Sequence, residues 1–230
     1  MKNILIIGGT SGIGNALVCN LANENNLYIT GREEKNLDGI EANFIQWDAS
    51  EDFNTDDLPD EIHGLVYCPG TINLKPLSRL TEDDFLHDYK VNVIGAFKVI
   101  KAALPKLRKA KGSSVVLFST VASNTGMPFH ASIAAAKGGL QSMALSLAAE
   151  LAKAKVRINT IAPSLTHTPL AKDLLANEAK QEAAAARHPL NKYGSAEELA
   201  SLAAYLLSDN AGFITGQTFG VDGGIGSLKA

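Results

Sequence analysis

A glycine-rich turn, a lone arginine at the end of an apolar run, and a lysine set among alanines are the residues of this chain whose types and spacing could do chemistry. The turn reads IIGGTSGIG and places Gly8, Gly12 and Gly14 around Thr10, Ser11 and Ile13. Glycines in a G-x-x-x-G-x-G spacing let the backbone turn tightly from strand to helix and approach a pyrophosphate, whose charge suits the free N–H groups and dipole at a helix N-terminus. The Thr10 and Ser11 hydroxyls could add donors to the same phosphate. The second apolar run ends in TGRE, so Gly31 and Arg32 stand where an acid would otherwise grip a ribose 2′-hydroxyl. A guanidinium there suits the 2′-phosphate of NADP through a planar, charge-assisted contact. In HASIAAAKGGL, Lys137 sits near a helix start, where the dipole disfavours a cation, so a role in a site outweighs a merely solvated lysine. His130 opens the same helix, and imidazole is the side chain that exchanges protons near neutrality.

Such residues need elements to position them. Seven short β-rich runs, NILII, LYIT, FIQ, GLVYC, SSVVLFS, VRINTI and TFGV, recur with helix-period segments between them and read as seven strands. Strands that alternate with helices imply right-handed crossovers and a parallel sheet, and strands apolar throughout imply helices on both faces. The expected fold is α/β, a doubly wound, seven-stranded parallel sheet, with residues 1–230 forming a single domain. The segment GREEKNLDGIEAN is near the minimum for a crossover, so its helix is expected to be a stub; ASEDFNTDDLPDEIH leaves room for a turn or two. A long helical segment is expected from Thr81 through Lys109, acidic in its first turn and basic in its last, and a second from His130 to Lys153. The Ala-rich LLANEAKQEAAAARHP is helix-forming.

Composition narrows the partners. The chain is 46% hydrophobic with a net charge of −3, and its Lys and Arg are scattered. That pattern argues against a nucleic-acid or membrane-surface partner and for small solutes. Cys19 and Cys68 are too few and too isolated for a disulfide framework or a metal site, and the sequence opens on a strand without a cleavable apolar leader. A reducing, cytoplasmic setting is therefore expected. No apolar run reaches the roughly 20 residues that cross a bilayer.

Taken in order, these motifs resemble those of the short-chain dehydrogenases/reductases. The likeness extends to RINTIAPSLTHTPL and to GSAEELASLAAYLLSDNAGFITGQTFGVDGG, with Thr215-Gly216-Gln217 and the turn Asp222-Gly223-Gly224. It implies a Rossmann-like dinucleotide-binding domain and an NADP(H)-dependent oxidoreductase acting on a carbonyl or alcohol. By that resemblance Asp48 is the acid that contacts the adenine, and Asn92 holds a water of a proton relay. Thr120 takes the place of the serine that orients the substrate carbonyl, and Lys137 that of the lysine on the nicotinamide ribose. Pro163 and Thr168 flank the nicotinamide, although Ser164 replaces the usual glycine. The family's Asn-Asn-Ala-Gly reads Tyr67-Cys68-Pro69-Gly70 here, so only Gly70 keeps its part.

The largest departure is at position 133, where the family has a proton-donating tyrosine and this chain has Ile133. Isoleucine can neither give nor take a proton. His130, three residues earlier on nearly the same helix face, or a relayed water is the expected donor. The alternative is a catalytically silent pseudoenzyme that serves as a nucleotide-binding or assembly subunit. The resemblance also implies a homodimer or homotetramer built through the two long helices.

Overall fold

The computed structural model describes residues 1–229. Its strands are β1 (Lys2–Ile7), β2 (Asn25–Gly31), β3 (Asn43–Gln46), β4 (Gly64–Tyr67), β5 (Ser114–Phe118), β6 (Arg157–Pro163), β7 (Thr166–His167), β8 (Gly194–Ser195) and β9 (Thr218–Val221). Seven of them form one sheet in the order β3-β2-β1-β4-β5-β6-β9, and β7 pairs with β8 beside it. Every pairing is parallel. The chain builds outward from β1 to β3, returns to the middle, and builds the other way from β4. A crevice therefore opens beyond the carboxyl ends of β1 and β4, where the strand order reverses.

The strands bury both faces because alternate side chains point to opposite sides. Ile4, Ile6, Leu27, Ile29 and Val66 pack toward α1 (Gly12–Leu21) and α6 (Ala196–Leu207), meeting Leu17, Leu199 and Leu206. Leu5, Ile7, Leu65 and Leu117 pack the other way, toward α3 (Gly95–Lys109) and α4 (Ala131–Leu151), meeting Val99, Leu107 and Leu140. This is the doubly wound, Rossmann-like sheet expected from the strand runs.

Two expectations about the covers need correction. The β2–β3 crossover carries no helix, because Asn36 and Gly39 adopt left-handed φ of 57° and 74° and break any right-handed run. The segment from Thr81 to Lys109 is not one helix. It divides into α2 (Glu82–Tyr89), a π turn (Lys90–Ile94) and α3. Thr81 begins it with a capping box, its hydroxyl accepting from the Asp84 amide and the Asp84 carboxylate accepting from the Thr81 amide. The π turn coincides with Asn92, whose Nδ2 donates to the Asp88 carbonyl at 2.7 Å and competes with the backbone ladder. Single π turns of this sort concentrate at functional sites. The second long helix is as expected: α4 starts after His130, and Lys153 lies in the 3₁₀ turn that follows it. The remaining helix, α5 (Glu178–Ala186), comes from the Ala-rich segment.

Candidate active site

The glycine turn lies at the carboxyl end of β1. Gly8 and Gly12 have φ of +76° and +53°, which only glycine adopts cheaply. A Cβ on Gly14 would stand 2.3 Å from the Gly8 carbonyl oxygen, so helix α1 can start this close to the loop only without a side chain there. Ser11 precedes α1 but makes no side-chain cap, and the first turn holds no acid. The N–H groups of that turn thus keep their donors for an anion. Thr10 is buried beneath the loop, its carbonyl accepting from Asn36 Nδ2 at 2.9 Å, while Ile13 faces the cleft. Thr168 packs against the loop, since a Cβ on Gly12 would meet the Thr168 side chain at 3.5 Å. A narrow, uncapped, side-chain-free cradle of this kind fits a dinucleotide pyrophosphate.

Arg32 leaves the end of β2 exposed beside this cradle, its carbonyl held by Gln46 Nε2 at 3.2 Å. Asp48, beyond β3, is the more constrained of the two. The Ser50 hydroxyl at 2.6 Å and amide at 2.9 Å both donate to its Oδ1 and hold the carboxyl below its usual range, with Arg32 and Lys90 adding to the effect. One oxygen of Asp48 thus closes its own turn.

The other end of the crevice is a cleft of about 260 Å³ whose walls include Gly70, Thr120, Ile133, Lys137, Pro163 and His188. Lys137 is buried, with Nζ donating to the Phe118 carbonyl at 2.6 Å. Burial lowers its pKa to about 8, against the pull of Cys68 and Asp88. The Cys68 thiol on the same wall is pushed up to about 12 by burial, which leaves it a poor nucleophile. Asn92 is fully buried. Its Nδ2 also donates to Thr71 Oγ1 at 2.9 Å, while Oδ1 has no partner. A Cβ on Gly70 would lie 3.3 Å from that orphan oxygen and 3.4 Å from Lys137 Nζ, so Gly70 is the gap across which the two groups converge.

Ser119 and Thr120 follow the end of β5 and both line the cleft, so strand alternation does not separate them; their hydrogen bonds do. Ser119 Oγ donates to the Lys137 carbonyl at 3.1 Å and accepts from Gln141 at 2.8 Å, which occupies it. Thr120 Oγ1 accepts only from the Ala122 amide at 3.3 Å, and its proton is not committed. Ile133 is 6% exposed and adds an apolar surface beside Lys137. His130 lines the cleft with its Nδ1 2.7 Å from the Pro128 carbonyl. Ser132 is buried without a partner and is not part of the cleft wall.

Two groups here escaped the sequence. Asp88 is fully buried, with Oδ1 accepting from Thr71 Oγ1 at 2.6 Å. Its only outward sign is an acid in the last turn of α2, where the helix dipole disfavours one. His188 is 4% exposed, and nothing in RHP connects it to Ser164, whose Oγ lies 2.8 Å from its Nε2. Among the described residues no cluster of His, Cys, Asp or Glu could hold a metal ion, and no helix is long and apolar enough to cross a membrane.

A parallel sheet whose switch point joins a glycine cradle to a buried lysine and a π-turn asparagine defines a dinucleotide-dependent dehydrogenase or reductase of the short-chain kind. The chain belongs to the short-chain dehydrogenase/reductase family: residues 8–226 match the family model described as enoyl-(acyl carrier protein) reductase. It is 31% identical to the 3-oxoacyl-[acyl-carrier-protein] reductase FabG of Thermotoga maritima, over 97% of each chain. It is 32% identical to a tropinone reductase homolog of Arabidopsis thaliana, over 97% of this chain and 92% of that one. In fold it matches the NADP-bound structure of ElxO with a TM-score of 0.91 at 24% identity, over 99% of each chain. A short-chain dehydrogenase family protein of Francisella tularensis matches with a TM-score of 0.90 at 24% identity, over 99% of this chain and 100% of that one. The protein is thus an oxidoreductase of a family that uses nicotinamide cofactors.

Proposed function

We propose that this protein interconverts a carbonyl and an alcohol with NADP(H). The observation that carries this reading is the convergence of Lys137 Nζ and the unpartnered Asn92 Oδ1 on Gly70, at the cleft wall. Burying an ammonium and an unsatisfied amide is costly, and a purely structural subunit has no need of either. Gly8, Ser11, Gly12, Ile13 and Gly14 would hold the pyrophosphate; Asp48 the adenine side; Lys137, Pro163 and Thr168 the nicotinamide side. When bound, the cofactor supplies or takes up the hydride. Thr120 orients the carbonyl oxygen through its uncommitted hydroxyl, and Ile133 helps to keep water out. Ile72, Leu74, Met127, Leu170 and Ile225 make much of the remaining wall apolar, which favours a substrate with a hydrocarbon flank. Because residue 133 offers no proton, the oxygen must be served by another group of the wall, and His130 is one imidazole within it.

Arg32 gives the preference for the phosphorylated cofactor. Arg32→Ala is expected to weaken NADPH binding by about 1.5–3 kcal/mol, the worth of a charged hydrogen bond, and to leave NADH nearly unchanged. Fluorescence titration of both cofactors, followed by turnover on a panel of ketones, tests the reading. Equal losses for the two cofactors would remove the 2′-phosphate role.

A further inference from the structure

The residue after Pro163 carries a hydroxyl, and an imidazole is built to meet it. Ser164 Oγ lies 2.8 Å from His188 Nε2, while His188 Nδ1 lies 2.8 Å from the Ala184 carbonyl at the end of α5. A carbonyl can only accept, so Nδ1 carries a proton and Nε2 is left to accept from Ser164 in the neutral ring. The ring is held on a third side by the turn before the C-terminus. A Cβ on Gly223 would stand 3.3 Å from His188 Cβ, so the chain closes on the imidazole at a residue with φ of +59°. The Leu190 amide donates to the Gly223 carbonyl at 3.1 Å and ties the two segments together. His188 is thus buried and oriented, yet it and Ser164 both line the cleft shared with Thr120, Ile133 and Lys137.

We propose that Ser164, positioned and recharged by His188, is the proton donor to the substrate oxygen in place of the missing phenol; this rests on the NADP(H) carbonyl–alcohol reading above. In reduction the carbonyl carbon gains a hydride and its oxygen needs one proton. Reduction starts from the ring that has taken a solvent proton at Nε2, which turns the Nε2–Oγ hydrogen bond around and frees the Ser164 proton to face the oxygen. The Oγ–H bond breaks as that proton goes to the oxygen, and the Nε2 proton replaces it. Neutral His188 remains, with Nδ1–H on the Ala184 carbonyl, and a solvent proton restores it. In oxidation the same protons run backward, from the alcohol to Ser164 and from Ser164 to Nε2. Ser164 is the catalytic residue of the pair and His188 the positioning residue.

The test uses the full chain, its variants Ser164→Gly, Ser164→Thr, His188→Gln and His130→Ala, and two probes, ethyl acetoacetate and trifluoroacetophenone. Ser164→Gly and His188→Gln should each lower kcat by about 100-fold or more, as loss of a general acid does, with KM and NADPH affinity little changed. The double variant should be no worse than the poorer single, because the two act as one unit. Ser164→Thr should recover turnover. In heteronuclear imidazole spectra of histidine-labelled protein without cofactor, His188 should show the Nδ1–H tautomer, with an Nε2 signal that moves in Ser164→Gly. Wild-type turnover persisting in Ser164→Gly overturns the proposal, the more so if His130→Ala abolishes it, which would route the proton through His130. A wild type that does not bind NADPH overturns the underlying reading, and the proposal with it.

Discussion

At residue 133 an apolar side chain lines the cleft beside Lys137, and the groups around it decide what a proton donor placed there could do. Ile133 is next to a lysine whose pKa burial has lowered to about 8 and within a cleft of about 260 Å³. A phenol placed there would have its own pKa lowered by the neighbouring cation. In the Ser164→Gly background, Ile133→Tyr should therefore restore ketone turnover by about 10²–10⁴-fold, the usual worth of a general acid, with NADPH affinity unchanged. Steady-state kinetics of the single and double variants measure it; a double variant as slow as Ser164→Gly would mean that the site cannot use a phenol. Lys137 makes a separate prediction about stability. Its native pKa of about 8 lies below the ordinary 10.5, so between those values the unfolded chain binds the extra proton and stability rises with pH. Below about pH 8 the burial penalty is felt in full, on the order of 3 kcal/mol. Lys137→Met should thus be more stable than wild type at neutral pH, and that advantage should shrink as pH climbs through the window, as urea unfolding at the two ends would show. Local pattern singles out Lys137 and the glycines, and the family resemblance singles out Asn92 and Thr120; of these the structure places Gly70, Thr120 and Lys137 on one cleft wall. The sequence could not show Ser164 meeting His188, a contact made only when the loop after β6 meets the end of α5.

At the scale of elements, the strand runs were readable because a fully buried parallel strand must be apolar throughout, and all seven appear in one sheet. The crossovers were less readable. Length alone suggested a stub of helix after β2, but Asn36 and Gly39 take left-handed conformations that length does not encode. The helical period likewise ran through Lys90–Ile94 without marking the π turn, since one extra residue per turn shifts the pattern too little to see over five residues. The junction of β1 with α1 was legible and is also tight. Gly14→Ala would force a methyl to within 2.3 Å of the Gly8 carbonyl and push the helix start off the loop. We expect a loss of about 1–3 kcal/mol in stability, typical of overpacking, and a larger loss in NADPH affinity, because the same displacement spoils the phosphate cradle. Thermal melts with and without NADPH separate the two effects: the variant should melt lower and gain less from the cofactor.

For the whole molecule, the question is what covers the apolar surface that the chain leaves exposed. The helix of Lys137 carries the apolar residues Leu140, Met143, Ala144, Leu147 and Leu151. The structure spends most of that set internally, with Leu140, Ala144 and Leu151 buried and Met143 and Leu147 packed against the core. One group of exposed apolar residues lies on α2, the π turn and the start of α3, where Leu86, Tyr89, Ile94 and Phe97 are 58%, 46%, 36% and 42% exposed, and Leu145 of α4 is 60% exposed. Their spacing of i, i+3, i+8 and i+11 keeps the first four near one face, because the wider π turn absorbs the extra residue. Large apolar residues gathered on one helix face mark an association surface more often than a solvated one. We therefore expect a homodimer or homotetramer joined through α2 and α3. Light scattering at micromolar concentration should give a multiple of the chain mass, and Leu86→Glu with Phe97→Glu should shift it to monomer, since each buries a carboxylate without a partner in the interface. The buried helix faces that carry Asn92 and Lys137 are untouched by these changes, so NADPH binding should survive dissociation. A wild-type monomer would leave this face without its expected cover.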